Sequence, residues 1–156
     1  MTQAKGGDFD LQDFLPYLLN QAAEATSRGF QATYRTRHGL TRTQSRVLAN
    51  LGRFGAMTAR DICRISHIEK TKVSRAVAAL EGEGLLTRAT SPDDRRVENL
   101  TLTDSGREVF GEIGQHALEF DAALRQRLGP DLATRIDAIL REIIALQSDS
   151  AGGEEN

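Results

Sequence analysis

Lys70, Thr71, Lys72, Ser74 and Arg75 crowd hydroxyls and cations into one short run. About twenty residues on, Asp94-Arg95-Arg96 follows the turn-forming run Ser91-Pro92-Asp93. Ammonium and guanidinium groups only donate hydrogen bonds, and hydroxyls can donate to an anionic oxygen, so both clusters suit a polyanion. Arginine adds a fork that matches paired acceptors such as O6 and N7 of a guanine. Asp94 stands two residues before Arg96, close enough in sequence for its carboxylate to orient that guanidinium or one on a neighbouring helix. The chain shows no nucleophile–base pair, no metal-ligand spacing and no glycine-rich phosphate loop. Catalytic residues, a metal site and a cofactor are therefore not expected, and an enzyme is disfavoured.

These groups form a site only if the elements that carry them turn them outward. At ~100° per residue, Val73, Ala76, Val77 and Leu80 gather on one side of a helix running from about Glu69 to Glu83. Thr71, Arg75 and Ala78 lie opposite, flanked by Lys72 and Ser74, with Lys70 near the start. No bulky residue and no acid interrupts that face before Glu81, so it fits a major groove ~12 Å wide. A plain solvated face would often carry glutamates at these positions. Residues 85–90 and 97–102, rich in Leu, Val and Thr, flank the Pro-Asp-Asp turn and read as a hairpin. At least one of Arg95 and Arg96 must then project beyond the sheet, where a narrow minor groove would attract it.

The flanking elements follow from periodicity and capping. A first helix spans about Asp10 to Arg35 and Gly39 ends it; Pro16 either falls early enough to be tolerated or marks a restart near the first turn. Thr41 with Gln44 has capping-box spacing and starts a second helix with Val47, Leu48 and Leu51 inward, closed by Gly52 and Gly55. Thr58 with Asp61 repeats the signal for a short third helix whose inner face is Ala59, Ile62 and Cys63. Ser66-His67 turns into the fourth, which stops at Gly84. Thr103 caps a long helix, Gly129-Pro130-Asp131 breaks it, and a last helix carries Leu132, Ile136, Ile139, Leu140, Ile143 and Ile144. Residues 1–8 and 148–156 read as flexible tails. The architecture expected is mainly α with a small β-hairpin wing (α+β). It is a winged helix-turn-helix lobe over about 37–103 between N- and C-terminal helices at about 9–36 and 104–148, all in one domain over 1–156.

Composition bounds the partners. Hydrophobic residues make up 39% and charged residues 27%, as in ordinary globular domains. No apolar run approaches a membrane span, no secretory signal opens the chain, and a single cysteine excludes an intrachain disulfide, so a cytoplasmic protein without a membrane partner is expected. The net charge of −2 conceals an asymmetry. Residues 30–110 hold 14 Lys and Arg against 9 Asp and Glu, a net of +5, while the flanks hold 6 against 13, a net of −7. A basic centre between acidic ends suggests one surface for nucleic acid and another for something else. The outer helices carry more apolar surface than so small a centre would cover, which suggests a partner chain.

The run from Leu40 through Gly106 resembles the MarR (multiple antibiotic resistance regulator) family of winged helix-turn-helix proteins. The resemblance rests on Leu40-Thr41, Gln44, Val47-Leu48 and Leu51, on Lys70 to Val77 with Leu80-Glu81 and Gly84-Leu85-Leu86, and on Asp94-Arg95-Arg96 followed by Leu102-Thr103 and Gly106. It implies a homodimer formed by the first and last two helices, bound to double-stranded DNA at a pseudo-palindromic operator. It also implies repression or activation of nearby genes, often relieved by a small phenolic or aromatic effector or by oxidation. Carried over by position, Thr71, Lys72, Ser74 and Arg75 would contact bases and phosphates, Arg96 would enter the minor groove, and Asp94 would fix the wing. Ser45 stands where many members carry a tryptophan, and the chain has no Trp.

An effector would lie, as in the family, between the dimer helices and the DNA-binding lobe. Tyr34, Arg37 and His38 could supply a carboxylate or phenol site there. Cys63, on the apolar face of the third helix, reads as a core residue rather than a redox switch. His67 could reach a phosphate, and His116 reads as structural. A repressor controlled by a small molecule is the expected function. The alternatives are an activator without such control and a winged-helix module used for protein contacts.

Overall fold

Capping residues divide the chain as their spacing predicts. The computed structural model describes residues 9–150 and contains, among them, six α-helices and one hairpin. The expected tail at 1–8 lies outside the described residues, as do 151–156. The last helix continues to Ser150, past the expected boundary at 148.

The first expected helix is two pieces. A 3-10 turn at Leu11–Asp13 is capped by the Asp10 carboxylate, and α1 then runs from Leu15 to His38. Pro16 marks the restart: in the first turn its missing N–H costs nothing. α1 passes the expected end by three residues, because nothing stops it before Gly39, whose φ is 64°. Helix α2 (Arg42–Phe54) and helix α3 (Ala59–Ser66) each begin with a complete capping box, from Thr41 with Gln44 and from Thr58 with Asp61. Helix α4 spans Lys70–Gly82 and is followed by Gly84 at φ 74°, a left-handed conformation that any Cβ would strain. That turn lets the Leu85 N–H donate to the Leu80 carbonyl at 2.9 Å and re-aims the chain into the hairpin.

Of the two glycines expected to close α2, one does not. Gly55 caps α2 as expected, but Gly52 lies inside the helix and does not close it. The ring of Phe110 occupies the space beside it, so that a Cβ at 52 would sit 2.5 Å from Phe110 Cδ2. The residue is a notch for an aromatic ring, which sequence spacing cannot distinguish from a helix end.

The hairpin pairs β1 (Leu86–Thr90) with β2 (Glu98–Leu102) antiparallel, Leu86 opposite Leu102 and Thr90 opposite Glu98. Leu86, Leu100 and Leu102 turn inward onto Leu48, Leu51, Ile62, Val77 and Leu80, and all eight are buried. Deleting any of the larger of these side chains would cost about 2–5 kcal/mol. Met57 adds a single bridge to the hairpin: its N–H donates to the Leu100 carbonyl at 3.1 Å, and the Leu100 N–H donates back at 2.7 Å. This tie between the α2–α3 loop and β2 has no sequence signature.

Thr103 joins hairpin to helix. Its hydroxyl donates to the Gly84 carbonyl at 2.6 Å and accepts the Gly106 N–H at 3.0 Å, capping α5 (Asp104–Leu128). Helix α6 begins at Pro130, as the Gly-Pro-Asp break predicts. The chain divides into two compact units within α5, one through Gly114 and one from Gln115 on. The division falls beyond the expected lobe boundary at 103, because Val109, Phe110 and Ile113 of α5 pack with the lobe core. In the second unit Arg125 forks onto Asp137 at 2.7 and 3.1 Å and holds Asp121 at 2.7 Å. Those hydrogen bonds keep the Asp137 carboxyl below its ordinary pKa. Among the described residues no helix is long and apolar enough to cross a membrane.

Candidate nucleic-acid interface

The helical-wheel assignment of α4 holds. Val73, Ala76, Val77 and Leu80 are buried, while Lys70, Thr71, Lys72, Ser74, Arg75 and Ala78 are all exposed. The buried row fixes the rotation of the helix, so the polar row cannot turn away from solvent without exposing four apolar side chains. Glu69 occupies the N-cap position with no side-chain hydrogen bond, leaving the first amides of α4 without a side-chain acceptor from it. Lys70 and Thr71 stand beside those amides, an arrangement that suits a phosphate oxygen.

Arg95 and Arg96 lie in the turn between the strands, and both are exposed. The Arg96 side chain is 94% exposed, the posture of a group that projects from the surface. Asp94 shapes this tip locally. Its Oδ1 accepts the Arg96 N–H at 3.0 Å and lies 3.4 Å from Arg96 Nε, and its carbonyl accepts the Val97 N–H at 3.0 Å. Of the two partners expected for Asp94, the structure gives the wing arginine. Ser91 closes the loop by donating its N–H to the Val97 carbonyl at 2.8 Å.

The three expected effector residues are placed differently from one another. Tyr34 is buried, its ring edge-on to Phe30 at 5.5 Å between centroids. Burial pushes its hydroxyl pKa up, against the opposing pull of Arg42, Arg46 and Arg35. His38 is half-buried, with Nε2 3.4 Å from Glu112 Oε2 but without a hydrogen bond to it. Arg37 is exposed. Beside Tyr34, Arg42 donates to Glu24 at 2.8 Å and to Ser27 Oγ at 3.1 Å, which ties α1 to α2 and holds the Glu24 carboxyl below its ordinary pKa. Ser45 is buried.

Two further residues border this face, His67 in the turn expected for it and Arg88 with partners that spacing does not reveal. His67 holds the α3–α4 turn at φ 51° and is exposed. Arg88, read only as a strand residue, makes ion pairs with both Glu81 and Glu98. A run of Thr-Arg-Ala-Thr gives no hint of partners that far apart in sequence.

Comparison with known proteins agrees with this geometry. The sequence profile of the MarR family matches residues 38–97. A solved MarR family transcriptional regulator from Silicibacter pomeroyi DSS-3 is 30% identical, superposes with a TM-score of 0.79, and is covered over 99% of its length by 90% of this chain. BpsR of Bordetella bronchiseptica, whose DNA binding is regulated by 6-hydroxynicotinic acid, is 27% identical with a TM-score of 0.77, over 88% of this chain and 97% of that one. The homoprotocatechuate degradative operon repressor of Escherichia coli is 25% identical over 149 residues, 93% of this chain and all of the repressor. These relatives regulate transcription and are not enzymes. The chain belongs to the MarR family of winged-helix, DNA-binding transcriptional regulators.

Proposed function

We propose that the protein is a repressor that binds a pseudo-palindromic operator as a homodimer and is released by a small aromatic or phenolic acid. One observation carries the DNA-binding part. A helix whose apolar row is locked into the core presents cations, hydroxyls and alanine outward as far as Glu81, next to a hairpin tip bearing a projecting arginine. In this reading Thr71, Ser74 and Arg75 meet base edges in the major groove, Lys70 and Lys72 meet phosphates, and Arg95 and Arg96 meet the flanking minor groove and backbone. Asp94 keeps the tip in shape.

A single recognition helix reads only a few base pairs, so two related by a two-fold axis, about 10 bp apart, supply the specificity one lacks. Exposed apolar side chains on the outer helices, among them Leu118, Leu132, Ile139 and Leu140, support a partner copy. For the effector, Tyr34, Arg37 and His38 remain the candidates, and the aromatic acid that regulates BpsR supports the ligand class.

The test is binding to promoter DNA by gel shift, with salt and ligand varied. Affinity should fall steeply as salt rises, because phosphate contacts release counterions. An aromatic acid that raises the melting temperature should also release the DNA. Binding insensitive to salt would overturn the DNA reading. A panel of aromatic acids that neither stabilises the protein nor releases DNA would overturn the effector reading.

A further inference from the structure

Alternate residues of the hairpin share a face, and the inward face changes character along its length. At the base Leu86 opposes Leu102, and both are buried. One step toward the tip Arg88 opposes Leu100, and beyond that Thr90 opposes Glu98. Leu100 is still buried, but β1 buries nothing after Leu86. The core therefore stops supporting β1 where Arg88 begins. At that point Arg88 Nε donates to Glu81 Oε2 at 3.0 Å, and Nη1 donates to Glu98 Oε2 at 3.3 Å. Glu81 belongs to the last turn of α4 and Glu98 opens β2. One guanidinium thus joins both strands of the wing to the end of the helix that carries Arg75.

We propose that Arg88 is a positioning residue that sets the angle of the wing against α4, so that Arg96 reaches DNA in register with Arg75. The proposal rests on reading α4 and the hairpin as one DNA-binding face. The role assigned to Arg88 is not phosphate binding: its Nε and Nη1 are engaged by two carboxylates, and the trio carries a net charge of −1. The three side chains are 35%, 44% and 54% exposed, so their pairing adds little to global stability. Its effect is local. A hairpin of two short strands is marginal alone, and its tip projects beyond the last buried leucines. Without the tie, DNA binding has to order the wing, and that loss of freedom weakens the complex. Lysine would keep the charge but not the fork, so it can hold only one carboxylate well.

The experiment uses the full chain and a duplex selected for binding by the wild-type protein from a random-sequence pool. Arg88→Met, Arg96→Ala and the double variant are compared by fluorescence anisotropy across a salt series, with thermal melts alongside. Arg88→Met is expected to melt within a few degrees of wild type, to bind about tenfold more weakly, and to show the flattened salt dependence of Arg96→Ala. The double variant should bind no worse than about twofold below Arg96→Ala, because with no arginine at the tip there is nothing left to position. Multiplying losses in the double variant, or weaker binding with an unchanged salt slope, would overturn the proposal in favour of a purely structural arginine. Glu98→Gln supplies a second, milder test. Removing an acid beside DNA should tighten binding by simple electrostatics, whereas loosening the tie should weaken it. Tighter or unchanged binding by this variant would therefore sink the idea. If Arg96→Ala and Arg75→Ala both bind like wild type, the DNA-binding face itself is wrong, an outcome distinct from Arg88→Met alone being silent.

Discussion

Arg75 and Arg96 differ in what surrounds them, and the difference predicts different losses. Arg75 stands on a rigid helix whose opposite side is buried, so its guanidinium is aimed by α4 as a whole. Arg96 is 94% exposed on a turn and, among the described residues, is held by Asp94. We expect Arg75→Ala to weaken operator binding by about 1–3 kcal/mol and to relax preference at one base pair of each half-site. Arg96→Ala should weaken binding mainly on operators with A·T-rich flanks, where the minor groove is narrow. Gel shifts on matched duplexes with A·T-rich and G·C-rich flanks separate the two effects, and neither variant should lower the melting temperature appreciably. Most of this face was legible from residue types and spacing, because a helix with four buried apolar residues leaves only one orientation for the rest. Arg88 was not legible, since its partners come from α4 and β2 and meet it only through tertiary folding.

Elements join at glycines and caps, and these places are sensitive to single methyl groups or protons. Gly106 is buried in the first turn of α5, and a Cβ there would lie 1.9 Å from the Leu85 carbonyl oxygen, a backbone atom that cannot move without shifting β1. Gly106→Ala should destabilise the lobe by about 1–3 kcal/mol or more, read as a lowered melting temperature. The sequence marks this glycine only as part of a motif, and the close approach explains why no other residue fits. Thr58 is a different case, legible from its spacing to Asp61. Hydrogen bonds from the Thr58 side chain, then from its backbone N–H, hold the Asp61 carboxyl below its ordinary pKa. A lowered carboxylate contributes stability that is present above the unfolded value and is lost as pH falls through the folded one. Thr58→Ala should cost about 1 kcal/mol near pH 7. The gap to wild type should narrow below about pH 4, where the aspartate of the unfolded chain also takes up its proton. Melts of both proteins at pH 7 and near pH 3 would show it, and a gap that stays constant would mean that Asp61 contributes nothing through its charge.

For the molecule as a whole, the sequence presents a basic centre of net +5 between flanks of net −7. That division lets an acidic protein bind a polyanion, provided the acidic segments stand away from the groove. The outer helices are where periodicity predicted elements well and function poorly. An apolar stripe shows that something must cover it but carries no record of what. In α6, Leu132, Ile139 and Leu140 are 44%, 51% and 41% exposed, and Leu118 of α5 is 68% exposed. Burying what remains exposed of such a side chain against a second copy would contribute roughly half of the ~1.5–3 kcal/mol that full burial gives. A charge at the same place would have to be desolvated without a partner. The core that shapes α4 lies elsewhere, in residues 34–113, so disrupting the stripe should leave that lobe folded. Leu140→Asp is therefore expected to convert a dimer into a monomer in sedimentation velocity at micromolar concentration. Its circular dichroism should stay near wild type, while affinity for a two-half-site operator falls to that of one half-site. A wild-type protein that sediments as a monomer while binding the full operator tightly would overturn the dimer, and with it the two-fold spacing through which an effector would act.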